Sequence, residues 1–127
     1  MEERFMMPSS SLRQLAEDRY HRGVDYLAAG DPLAAVREFR ESVAVDPTFF
    51  DAVHGLIRAL QDIGEFDQAI DAARELIARD PDDPLAYTSL SILYQHKGMI
   101  PEAEAVALKA KLLGWKLELR ESSSPAE

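Results

Sequence analysis

Three histidines, His21, His54 and His96, are the side chains of this chain best suited to bind a transition metal or to titrate together near neutral pH. Their placement argues against both. They lie more than thirty residues apart, none has a second histidine four residues away, and no cysteine is available as a further ligand. The expectation is three polar surface residues and no metal site. Catalytic chemistry finds no better footing. The carboxylate pairs Glu17-Asp18 and Asp82-Asp83 fall at helix starts or turns, where they favour the helix dipole rather than act as an acid and a base. Ser9-Ser10-Ser11 reads as a lead into a helix cap, not as a nucleophile. There is no Gly-rich phosphate loop, no His-Glu-x-x-His run and no Gly-x-Ser-x-Gly turn. The residues therefore predict a protein that is not an enzyme, with no catalytic residue, no metal and no cofactor.

The charge balance narrows the partners. In 127 residues there are 14 Lys and Arg against 23 Asp and Glu, a formal net charge of −9. Phosphate backbones and anionic membrane surfaces need the opposite sign, so nucleic acid is not expected as a partner. No apolar run approaches the ~18 residues of a membrane span, and direct membrane insertion is not expected. Met1-Glu2-Glu3-Arg4-Phe5 is acidic where a secretory leader is basic, which points to the cytoplasm. A protein or peptide remains as the expected partner.

The elements that carry these residues are set by a repeat. Gly30, Gly64 and Gly98 lie 34 residues apart, as do Ala35, Ala69 and Ala103. Pro47 and Pro81 keep the same spacing, each in an Asp-Pro pair, and Tyr26, Leu60 and Tyr94 add a column of large apolar residues. Apolar periodicity between these marks predicts six helices, over 11–29, 32–45, 49–63, 66–79, 84–97 and 100–120. Asp31-Pro32 and Asp83-Pro84 each supply a capping carboxylate and a proline for the first helical position. Ser11-Leu12-Arg13-Gln14 has capping-box spacing, and the three repeat glycines suit the left-handed residue that ends a helix. Residues 1–10 are expected to be a disordered lead and residues 122–127 a disordered tail around a domain at 11–121.

These columns resemble the tetratricopeptide repeat. Gly23, Tyr26, Gly30, Ala35, Phe39 and Pro47 match its pattern in a first unit at about 16–49. Leu56, Gly64, Phe66, Ala69 and Pro81 match in a second at 50–83, and Tyr87, Leu90, Tyr94, Gly98, Ala103 and Ala110 in a third at 84–117. The resemblance implies an all-α fold, a right-handed superhelical solenoid of three helix-turn-helix repeats with an extended C-terminal helix. In it, Gly23 and the alanine column hold paired helices close, and Tyr26, Leu60 and Tyr94 fill the space against the next unit. Ile57 and Ser91 stand where the pattern has a close-packing Gly, which implies looser second and third pairs.

The resemblance also implies that the first helix of each pair lines a concave groove. The groove residues are then Tyr20, His21, Val24 and Leu27; His54, Arg58 and Gln61; and Leu85, Thr88, Ile92 and Gln95, a mixture suited to an extended peptide. Some family members clamp a peptide's terminal carboxylate with Lys, Asn and Arg. The corresponding positions here, Tyr20, Val24, Gly55, Leu85 and Ser89, carry no cation and no amide, which disfavours that mode. On a continuous last helix, Ala103, Ala107, Ala110 and Leu117 would face the partner helix. Leu108, Leu112, Trp115 and Leu119 would then form a second apolar stripe, an edge for another copy or another protein, unless the helix bends at Gly114 and folds Trp115 inward. Charge is uneven: residues 50–83 hold nine acidic and three basic residues, residues 84–117 two and four. Together these features predict a protein-interaction scaffold or adaptor, binding a peptide in the groove or docking as a small subunit. A secretion-type chaperone and a self-assembling homo-oligomeric scaffold are the alternatives.

Overall fold

The computed structural model of the chain describes residues 8–122, which form six α-helices: α1 (Ser9–Ala28), α2 (Pro32–Val45), α3 (Phe50–Asp62), α4 (Phe66–Arg79), α5 (Pro84–His96) and α6 (Ile100–Ser122). No strand occurs among the described residues. The local signals account for the boundaries. Asp31 Oδ1 accepts from the Ala34 amide at 3.2 Å, and Asp83 Oδ1 from the Leu85 amide at 3.0 Å, each ahead of a proline in the first turn. Gly30, Gly64 and Gly98 take φ values of 80°, 81° and 75°, which a side chain would resist, and so end α1, α3 and α5.

The ends differ from expectation. Pro8 is extended at φ −59° and ψ 153°, and α1 begins directly after it, so Ser9 and Ser10 are helical. Ser11 is then inside the first turn and the capping box does not form; Gln14 donates instead to Asp18 Oδ1 at 3.1 Å. At the other end α6 runs through Gly114 without a break and reaches Ser122. The rest of the expected lead and tail lies outside the described residues.

The chain divides into two compact units, Met1–Gly64 and Glu65–Glu127. In the first, α2 packs on α1 and α3, and the Phe39 ring is wholly buried. A methyl group at Gly23 of α1 would fall 2.5 Å from that ring, and one at Gly55 of α3 would fall 2.6 Å from it. Two glycines on two helices thus make the slot that holds one aromatic side chain. The Ser42 hydroxyl of α2 donates to the Ala16 carbonyl of α1 at 2.6 Å. Arg13 Nε meets Asp46 Oδ2 at 2.7 Å with its guanidinium over Phe49, tying α1 to the turn ahead of α3.

The second unit repeats this logic with other residues. α5 packs on α4 and α6. Ser91 is buried, and its hydroxyl donates to the Ala103 carbonyl of α6 at 2.8 Å. The sequence predicts a looser third pair for want of glycine; instead, a hydroxyl small enough to fit adds a hydrogen bond across the interface. Tyr94 is buried and its hydroxyl accepts from Arg74 Nε and Nη2 at 3.0 and 2.6 Å. Tyr26 departs from its column. It is 40% exposed, whereas Leu60 and Tyr94 of the same column are buried.

Candidate partner-binding surfaces

The first-helix residues of the first unit differ in packing and exposure. Tyr20 packs its ring against Phe39, Phe49 and His21, at centroid distances of 5.7, 5.4 and 5.4 Å, and so belongs to the wall between α1 and α3. His21 and Val24 are exposed and Leu27 is half-buried. On α3, His54, Arg58 and Gln61 follow at four and three residues and share one face. His54 and Gln61 are half-buried there. Arg58 is exposed, with Nε 3.3 Å from Asp62 one turn on.

In the second unit, Leu85, Thr88, Ile92 and Gln95 recur at three, four and three residues, opposite the buried Ala86, Leu90 and Leu93. All four are exposed, and Thr88 Oγ1 spends its proton on the Pro84 carbonyl at 3.1 Å. His96 stacks on Phe66 of α4, with ring centroids 4.8 Å apart and planes within 10°. Lys97 Nζ meets Asp67 Oδ1 beside it at 3.0 Å. His96 is thus occupied within its unit, and among the described residues no group of three His, Cys, Asp or Glu is placed to hold a metal ion.

The α6 surface is the larger apolar feature. Leu108, Leu112, Trp115 and Leu119 are 56%, 48%, 54% and 69% exposed, on the side of the helix opposite Ala103, Ala110 and Leu113. Leu113 takes the inward position expected of Ala107 and Leu117, both of which are exposed. The reason is length and register. α5 has 13 residues and α6 has 23, so the last turns of α6 extend past the helix they were expected to face, and positions 103, 110 and 113 share the one covered stripe. A shallow open depression on α6 is lined by Leu112, Trp115, Lys116, Leu119 and Arg120.

Sequence reasoning missed Gly55 as a packing residue and the Arg13–Asp46 and Arg74–Tyr94 pairs. Gly55 has no sibling glycine in the 34-residue columns, but an interior helical glycine is itself a signal of close approach. Asp46 is held below its ordinary value of 3.8, first by the Thr48 hydroxyl and then by Arg13, both of which donate to its carboxylate.

Comparison with known proteins follows the same architecture. The family model described as Tetratricopeptide repeat matches residues 26–93. A crystal structure of MamA superposes with a TM-score of 0.77 at 27% identity, over 84% of this chain. This chain spans 62% of the MamA chain's length. The type III secretion translocator chaperone SycD of Yersinia enterocolitica, in an alternative dimer, gives 0.75 at 23% identity over 87% of this chain and 88% of its own. The second TPR domain of Spaghetti (RPAP3), bound to the HSP90 peptide SRMEEVD, gives 0.77 at 18% identity over 84% and 99%. No curated protein sequence matches the chain.

Proposed function

The chain belongs to the tetratricopeptide repeat family, and we propose that it is a non-catalytic interaction module of the cytoplasm that captures a peptide segment on the faces of its first helices. The observation that carries this reading is the exposure of apolar residues among polar ones on those faces: Val24 with His21 on α1 and Arg58 on α3 in the first unit, and Leu85 and Ile92 with Thr88 and Gln95 on α5 in the second. Apolar side chains left in water next to groups that donate and accept hydrogen bonds suit an extended peptide, whose alternate side chains need pockets and whose backbone needs partners. The same faces would serve a small subunit of a larger complex or the chaperone of an exported protein, the role in which SycD is described. No helix among the described residues is long and apolar enough to cross a membrane.

Selection from a displayed peptide library tests the reading. The wild-type chain is expected to enrich one peptide motif. Val24→Glu, Arg58→Glu and Leu85→Glu should each weaken the selected peptide by about tenfold or more, while Glu41→Lys on α2 leaves it unchanged. Selection without enrichment, or binding indifferent to all three substitutions, would turn the assignment away from these faces.

A further inference from the structure

We propose that the outer stripe of α6 docks onto the exposed face of α1 in a second copy of this chain, so that copies join head to tail. The inference goes beyond peptide capture, because neither face includes a residue of the first-helix surface proposed above.

The two faces match in chemistry and in spacing. On α6 the apolar line runs from Leu108 to Leu119, eleven residues apart, with Leu112 and Trp115 between. On α1 the exposed apolar residues Leu15 and Tyr26, 39% and 40% exposed, are also eleven residues apart, roughly 16 Å along a helix. Lys109 and Lys116 flank the α6 line on one side, seven residues apart and exposed. Asp18 and Asp25 flank the α1 line, likewise seven residues apart and exposed, with Asp18 accepting only from the neighbouring Gln14. Seven residues are two helical turns, so each charged pair is stacked on its own flank. Seen from N to C terminus, the carboxylates lie on one side of the α1 line and the ammonium groups on the other side of the α6 line. Two helices running parallel therefore bring both carboxylates against both lysines at once. Arg22 lies between Asp18 and Asp25 on the same side of the α1 line, which leaves that flank with a net charge of −1.

A second copy is a better occupant than an anionic surface. Residues 105–120 carry Lys109, Lys111, Lys116 and Arg120 against Glu118, but the chain as a whole carries −9. That charge repels an anionic bilayer, whereas the acidic face of α1 is a local complement. Pairing self-similar helices α6 to α6 fails on the same count. Run antiparallel, it sets Lys109 against Lys116 of the other copy. Contact between two different faces leaves one α1 face and one α6 stripe uncovered on a singly joined pair, so a further copy can add or the assembly can close on itself.

Trp115, the single tryptophan, reports the contact directly. In sedimentation velocity up to ~200 μM the wild-type chain should associate, with its tryptophan emission shifting to the blue, and both effects should weaken as salt rises. Lys109→Glu/Lys116→Glu and Asp18→Lys/Asp25→Lys should each weaken association about tenfold or more with helicity unchanged. Mixed in equal amounts, the two variants should recover association, since each retains the native face the other lacks and the two reversed faces again set carboxylates against ammonium groups. A wild-type monomer throughout the range overturns the proposal. So does a dimer indifferent to either substitution, or a mixture that stays monomeric. A blue shift obtained only with phosphatidylserine vesicles assigns the stripe to a membrane surface instead.

Discussion

Phe39 meets glycine on two helices, and that arrangement makes the position intolerant in a way composition alone does not show. Gly23→Ala improves helix propensity by about 1 kcal/mol, yet its methyl group would sit 2.5 Å from a ring that Gly55 keeps from moving away. Overpacking of this kind costs about 1–3 kcal/mol, so a net loss of stability in chemical denaturation is expected. A Gly23→Ala chain as stable as wild type would mean that the ring is not clamped. Asp46 makes a second prediction at this scale. Its carboxylate accepts from Thr48 and Arg13, and its pKa lies below the unfolded value. A depressed pKa stabilises the fold above about pH 4 and ceases to do so as pH falls through the folded value. The stability difference between wild type and Asp46→Asn should therefore be present at neutral pH and vanish in acid; a difference that persists at pH ~2 would assign it to packing instead. Neither site was fully legible in the sequence. Phe39 and Gly23 lie in repeat columns, but Gly55 does not, and the Arg13–Asp46 pair joins residues 33 apart with no local signal.

Helices were the most legible level, because their signals are local. Pro32 and Pro84 fix φ at the first turn and the aspartates before them cap it, so α2 and α5 begin where expected, and positive-φ glycines follow α1, α3 and α5; α2 and α4 begin and end where periodicity placed them. The ends of α1 and α6 were less legible, since neither is held between two repeat marks. Gly114 is the instructive residue. It was the one position that made a bend easy, yet α6 continues through it, and a methyl group added there would meet nothing within 4 Å. A helical glycine in open space carries its entropic cost without any packing return. Gly114→Ala should raise the stability of the chain by about 0.5–1 kcal/mol and increase its helicity. A loss of stability would instead require a neighbour at that position, as docking of a second molecule against α6 would supply.

At the scale of the molecule, family membership leaves the ligand open, and the electrostatics of this chain argue against one ligand that a structural relative binds. The second TPR domain of Spaghetti is bound to the HSP90 peptide SRMEEVD, which carries three acidic residues among its last four. Recognition of such a terminus requires cations or amides to replace the water lost from its charges. Here Tyr20 and Val24 in the first unit offer neither, Gly55 is filled by the Phe39 ring, and Leu85 and Ser89 in the second unit are uncharged. Arg58 is exposed but already meets Asp62, and the chain's −9 adds long-range repulsion that salt only partly screens. In fluorescence anisotropy or calorimetry the peptide SRMEEVD should show no binding to this chain at ~100 μM, and Val24→Asn/Ser89→Lys should not lose stability while gaining measurable affinity. Binding of the acidic peptide by the wild type, abolished by Arg58→Glu, would show that one guanidinium suffices and would reinstate the terminal-carboxylate mode.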